Sequence, residues 1–134
     1  DKIQVIDGIV NINGAPVNDA AFVSQTDIPA SVVAGSIFTV TVVMRNTGQS
    51  TWDVAHGYKL GSQSPQDNVD WGMDRISLNA GDSIGPDQEA TFDITVTAAT
   101  TPGPYIFQWQ MVQDDQVEQW FGNPTPAVAI TQCS

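Results

Sequence analysis

Residues 102–122 read PGPYIFQWQMVQDDQVEQWFG, and this stretch decides the fold. Tyr105, Phe107, Trp109 and Met111 occupy alternate positions, with Gln108 and Gln110 between them. Successive side chains of a strand point to opposite faces, so a period of two describes a strand with one buried side. Trp109 therefore reads as core. Trp120 depends on the turn around Asp114-Asp115. An even loop puts it on the Trp109 face. An odd loop turns it outward beside Gln110 and turns Phe121 in, because a slip of one residue exchanges every side chain. Counting leaves both registers open.

The same alternation spreads outward along the chain. SIFTVTVVMRN (36–46) sets Phe38, Val40, Val42 and Met44 against Thr39 and Thr41. ATFDITVTA (90–98) sets Phe92, Ile94 and Val96 against Thr91, Asp93, Thr95 and Thr97. Weaker strands are AAFVSQ (20–25), HGYKLGSQ (56–63), DRISL (74–78) and PAVAIT (126–131). Turn residues fall between them at Asn46-Thr47-Gly48, Asn79-Ala80-Gly81-Asp82, Gly85-Pro86-Asp87 and Pro102-Gly103-Pro104. No window sustains helical spacing. About seven to nine short strands at regular spacing predict an all-β, antiparallel, immunoglobulin-like β-sandwich. In such sandwiches a tyrosine stands two residues before a core cysteine and bonds back to the corner. Tyr105 fits that corner, with Phe107 in the cysteine's place.

Residues 1–20 stand apart from the predicted domain, 21–134. Their run KIQVIDGIVNINGAPVND suits an extra edge strand, a linker, or an arm that pairs with another molecule. An apolar alternating arm adds itself to an open sheet edge through main-chain hydrogen bonds. Ile3, Val5, Ile9 and Ile12 are the residues such an arm would insert.

Composition bounds the rest. A chain of 134 residues buries roughly two-thirds of its unfolded surface on folding. Hydrophobic content of 41% is too high for intrinsic disorder. No apolar run approaches the ~20 residues of a membrane span. The chain opens on Asp1-Lys2 without a leader-like segment, which suits a mature or trimmed form. Four basic residues face fifteen acidic ones, for a net charge of −11. This argues against nucleic acid and anionic membrane surfaces as partners, since both need a cationic patch, and neither nucleic-acid binding nor membrane insertion is expected. Thirteen of the acids are Asp, a turn residue, which again favours loops and strands. The single cysteine, Cys133, forbids an internal disulfide and a cysteine-based zinc site. It reads as a free thiol on a frayed end or as a bond to a second chain.

Catalytic signals are weak. His56 is the lone histidine, and no nucleophile-elbow spacing accompanies it. No carboxylate pair is singled out by an apolar setting. The chain is read as no enzyme, with no cofactor. Asp67, Asn68, Asp70 and Asp74 gather oxygens of the kind calcium takes, but their spacing does not match the helix-loop-helix calcium loop. They read as a solvated acidic loop, and no metal is expected. Trp52, Trp71 and Trp120, with Tyr58, are candidates for an aromatic platform that stacks on a polysaccharide. Trp52, after NTGQST, and Trp71, in a loop-like stretch, are the better candidates for partial exposure.

The segments VVMRNTGQSTW, LGSQSPQDNVDWG, PGPYIFQWQMV and WFG together resemble the four-tryptophan, immunoglobulin-like domain of selective-autophagy cargo receptors. They look closer still to its bacterial members in secreted and surface proteins. The resemblance runs from about Phe22 to Thr131 and maps the family's tryptophans onto Trp52, Trp71, Trp109 and Trp120. It implies a domain that binds or presents and does not catalyse. The resulting expectation is an extracellular or bacterial cell-surface module for protein contact or self-assembly, with a protein or its own copies as partner. A carbohydrate-binding module and an inert spacer are the alternatives.

Overall fold

The structure, a computed structural model, describes residues 4–6, 9–11, 17–115 and 118–134. Its elements are all strands: β1 (Gln4–Ile6), β2 (Ile9–Asn11), β3 (Ala20–Gln25), β4 (Ser31–Val33), β5 (Ile37–Asn46), β6 (Trp52–Asp53) and β7 (Tyr58–Ser62). There follow β8 (Arg75–Ser77), β9 (Ser83–Ile84), β10 (Glu89–Thr97), β11 (Gly103–Phe107), β12 (Trp109–Asp114), β13 (Glu118–Phe121) and β14 (Val128–Cys133).

One face of the sandwich is the antiparallel sheet β10-β5-β3, with a bulge in β3 between Phe22 and Ser24. The opposing face is built from β13-β12-β7-β8 and from β11-β14-β4, in which β14 and β4 run parallel. β11 and β12 are successive parts of one strand, interrupted at Gln108. β13 and β14 are likewise interrupted over 122–127. Thr125 bridges the two interruptions. It donates its N–H to the Trp109 carbonyl at 2.7 Å, and its hydroxyl accepts the Trp109 N–H at 2.9 Å. A kinked strand thus keeps its buried polar backbone paired. With these parts joined, eight strands form the two faces among the described residues, and β6 pairs with β9 beside them. The all-β sandwich read from the alternation is the observed fold.

The core fills from both faces. Val40, Val42, Met44, Phe92, Ile94 and Val96 come from one side, and Leu60, Phe107, Trp109, Met111 and Phe121 from the other. Tyr105 donates its hydroxyl to the Thr101 carbonyl at 2.8 Å, closing the predicted corner. Phe107 is fully buried in the cysteine's place and packs edge-on against Trp71 and Trp109 at 5.6 and 6.0 Å.

Three expectations are corrected. Trp52 and Trp71 are 0% and 1% exposed, not surface residues. Trp52 is drawn in by β6–β9 pairing, stacks with Tyr58 and meets Phe121 at a tilt. Trp71 folds inward on its loop, donates its indole N–H to the Ile106 carbonyl at 3.0 Å, and meets Phe38, Tyr105 and Phe107 edge-on. Burying an indole removes roughly 200 Å² from water, worth about 4–6 kcal/mol as an upper estimate, so the core outcompetes the surface for these rings. Cys133 is not frayed: it pairs with Val33, and its carbonyl accepts the Ala34 N–H at 2.7 Å, although its thiol is exposed.

The segment 17–20 packs into the sandwich. Val17 and Ala20 are buried, and their carbonyls accept the N–H groups of Gln49 at 2.8 Å and Asn123 at 3.0 Å. Two glycines permit this approach. A Cβ on Gly48 would collide with the Val17 carbonyl oxygen, and one on Gly122, at φ +75°, would sit 2.6 Å from the Ala20 Cβ.

Candidate interaction surfaces

The β12–β13 register settles where Trp120 points. Met111 lies opposite Phe121, Val112 opposite Trp120, and Asp114 opposite Glu118, which leaves three residues in the turn. The loop is odd. Phe121 enters the core at 7% exposure, while Trp120 lies half-buried on the outer face.

That outer face holds the indole in a polar clamp. Gly61 and Arg75 are register partners on β7 and β8. Gly61 has no side chain, so the ring settles directly on the strand; a Cβ there would collide with Trp120 Cη2. The Arg75 guanidinium carbon stands 4.9 Å from the ring centroid, within cation–π range. The same guanidinium reaches Asp114 and Asp67 at 2.7 Å and Glu118 at 3.1 Å. The indole N–H donates to Glu118 at 2.9 Å. Burial opposes the charge on Arg75, but hydrogen bonds and attraction from Asp114 and Asp67 outweigh it and raise its pKa further. The guanidinium takes a ring face that a stacked sugar would use. With Trp52 and Trp71 in the core and Tyr58 4% exposed, the four proposed rings form no common platform.

A second feature lies at one end of the sandwich, where a cavity of about 490 Å³ opens among 49–58, the β12–β13 end and Asn18. Its floor is a hydrogen-bonded network. Asn18 accepts the Tyr58 hydroxyl at 2.8 Å and donates to the side-chain oxygens of Gln113 and Gln119, each at 2.8 Å. Burial raises the Tyr58 pKa; Ser50 and Asn18 hydrogen bonding opposes this, and the Asp53 and Asp115 charges reinforce it. On the wall, Asp53 Oδ1 accepts the His56 backbone N–H at 2.9 Å and lies 2.7 Å from His56 Nδ1. No Lys or Arg lines the cavity among the described residues.

Other candidates can be placed directly. Among the described residues, no serine or cysteine side chain is hydrogen-bonded to His56, so the His56–Asp53 pair lacks a nucleophile. In the acidic loop, Asp67 is tied to Arg75. Asn68 spends its amide on the carbonyls of Gln63 and Pro65 and its oxygen on the Asp70 N–H. No group of three or more His, Cys, Asp or Glu gathers to hold a metal among the described residues. Val5 and Ile9 lie in β1 and β2, which pair antiparallel as a separate two-stranded sheet with Val5 opposite Val10 and Ile6 opposite Ile9. Ile3 and Ile12 lie outside the described residues.

Sequence reasoning missed Asn18, Gln113 and Gln119 as a unit, and Arg75 as the partner of Trp120. Period two assigns a residue to a face but does not name its cross-strand neighbour.

Residues 28–127 match the family described as the Ig-like domain from next to BRCA1 gene. The match covers 100 of the chain's 134 residues, so the chain belongs to this family. No individual curated protein matches it.

Proposed function

We propose that this Ig-like domain is a non-catalytic, extracellular protein-interaction module that joins a protein partner or copies of itself by strand addition through its N-terminal arm. Membership of the family supports the coarse statement, an interaction domain with protein partners. The observation that carries the finer one is the pairing of β1 with β2 in a sheet of their own. A lone two-stranded hairpin is marginal in water and gains stability when a further strand or packed surface joins it. Among the described residues both strands keep an unpaired edge, the feature that templates strand addition. The alternation of Ile3 and Val5, and the apolar Ile9 and Ile12, supply side chains for alternate pockets on a recipient edge. A bacterial cell surface is the setting we propose, in keeping with the modules the sequence resembles.

The test is deletion of residues 1–16, which spares Asn18 and Ala20. Sedimentation and electron microscopy of full-length and shortened protein are compared at matched concentration. Assembly of the full chain that the deletion abolishes, with unchanged thermal stability, is the expected result. Monomers in both cases would sink strand addition and leave a spacer.

A further inference from the structure

The cavity at the end of the sandwich has a chemistry that the arm does not use. We infer that it is a receptor pocket for a basic side chain, arginine or lysine, presented by a protein partner. The cavity measures about 490 Å³, within the range of specific ligand pockets. Every residue that lines it carries a polar group on its side chain, and none of them is Lys or Arg among the described residues.

The charge argument is local as well as global. Asp53 engages the His56 main chain and ring through Oδ1, and among the described residues its Oδ2 makes no hydrogen bond. Gln49, Ser50 and Thr51, whose side chains each carry an oxygen acceptor, line the same cavity. A guanidinium carries five donors and no acceptor, an ammonium three donors and none. A carboxylate that shares a cavity with hydroxyl- and amide-bearing side chains suits either, and a charge-assisted bond to it is about twice as strong as a neutral one. The chain's net charge of −11 steers cationic partners toward it.

The floor is preorganised. Asn18 and Tyr58 are nearly buried, and Asn18 fixes Tyr58, Gln113 and Gln119 together. A ligand therefore meets a wall already ordered, which lowers the entropy cost of binding. The acid-rich grouping on the outer face is less suited. Asp67, Asp114 and Glu118 are already committed to Arg75.

The probes are Nα-acetyl-arginine amide and Nα-acetyl-lysine amide, with Nα-acetyl-citrulline amide as the neutral isostere and methyl mannoside as a neutral polyol. Amide chemical shifts of the full ¹⁵N-labelled chain report the site. Either basic probe should shift the amides of Asp53, His56, Gln113 and Gln119, with Kd on the order of 1 mM for so small a ligand. Asp53→Asn keeps an oxygen for the His56 cap and should weaken binding about tenfold. Gln49→Glu adds a rim charge away from the core and should tighten binding severalfold, so the idea stays testable if the first variant is unstable. Equal shifts with citrulline, shifts with the mannoside alone, shifts elsewhere on the surface, or silence at tens of millimolar probe would each overturn the inference.

Discussion

Replacing Asn18 with alanine tests whether the segment before β3 belongs to the folded domain. Asn18 makes three side-chain hydrogen bonds, to Tyr58, Gln113 and Gln119, each at 2.8 Å. It is 9% exposed, so water does not simply take over its role. Each bond contributes about 0.5–1.5 kcal/mol net, and a buried hydroxyl left unpaired costs about 1–3 kcal/mol. Gln113 and Gln119 sit nearer solvent and rehydrate, so the larger share falls on Tyr58. The expected loss is about 2–4 kcal/mol, read from urea or guanidinium unfolding with an unchanged m-value. The double-mutant cycle with Tyr58→Phe is the decisive part. A phenylalanine ring in that place has no hydroxyl to strand, so Asn18→Ala should cost about 1–2 kcal/mol less in that background. A loss under about 0.5 kcal/mol, or strict additivity of the two changes, would refute the network.

Other predictions rest on neighbouring contacts. Trp120→Phe should remove most of the acrylamide-quenchable tryptophan emission, because Trp52, Trp71 and Trp109 are at most 1% exposed; quenching that persists would show that a core indole is open. Gly61→Ala drives a methyl into Trp120 Cη2, so the ring must swing off the strand. Stability should fall by about 1–3 kcal/mol and Trp120 emission should shift to the red, whereas an unshifted spectrum would contradict the clamp. Tyr58 has its pKa raised by burial, while the unfolded phenol titrates near 10. Between those two values the unfolded chain binds fewer protons, so stability declines as pH rises above about 10. Tyrosinate absorbance of the folded protein should show one phenol titrating late, and Tyr58→Phe should flatten the alkaline decline.

The fold was legible because the core strands obey a strict period of two. Val40, Val42 and Met44 against Thr39 and Thr41, and Phe92, Ile94 and Val96 against Asp93 and Thr95, show their faces in the letters alone. Trp109 was legible for the same reason. Trp120 was not, since its face depended on whether an odd or an even number of residues turned the chain after Asp114, a difference of backbone geometry that residue types leave open. Trp52 and Trp71 were misplaced because their surroundings are turn-rich. A loop's composition describes its backbone, and a large ring on that loop still gains more by packing inward. The clamp and the cavity were hidden for another reason. Both join residues brought together by register and topology, such as Gly61 with Arg75 and Asn18 with Gln119, and only the pairings bring them side by side.

The glycines at 48 and 122 then acquire a functional sense. They let residues 17–20 lie against the sandwich, and Asn18 within that segment forms part of the cavity floor. Val17, the first described residue of that segment, is therefore the chain neighbour of a cavity-lining residue. On the proposed reading, a partner held by the arm would be confined near the pocket, which would raise its effective concentration there to roughly the millimolar range. That value is comparable with the expected affinity for a single basic side chain, so the pocket would be appreciably occupied only by a partner the arm had already engaged. Two weak contacts arranged in this way would discriminate a partner that carries both a strand edge and a suitably placed arginine or lysine from one that carries only one of them. Deleting residues 1–16 should then leave the affinity for the small basic probes unchanged while weakening a whole partner, a separation that neither surface alone would produce.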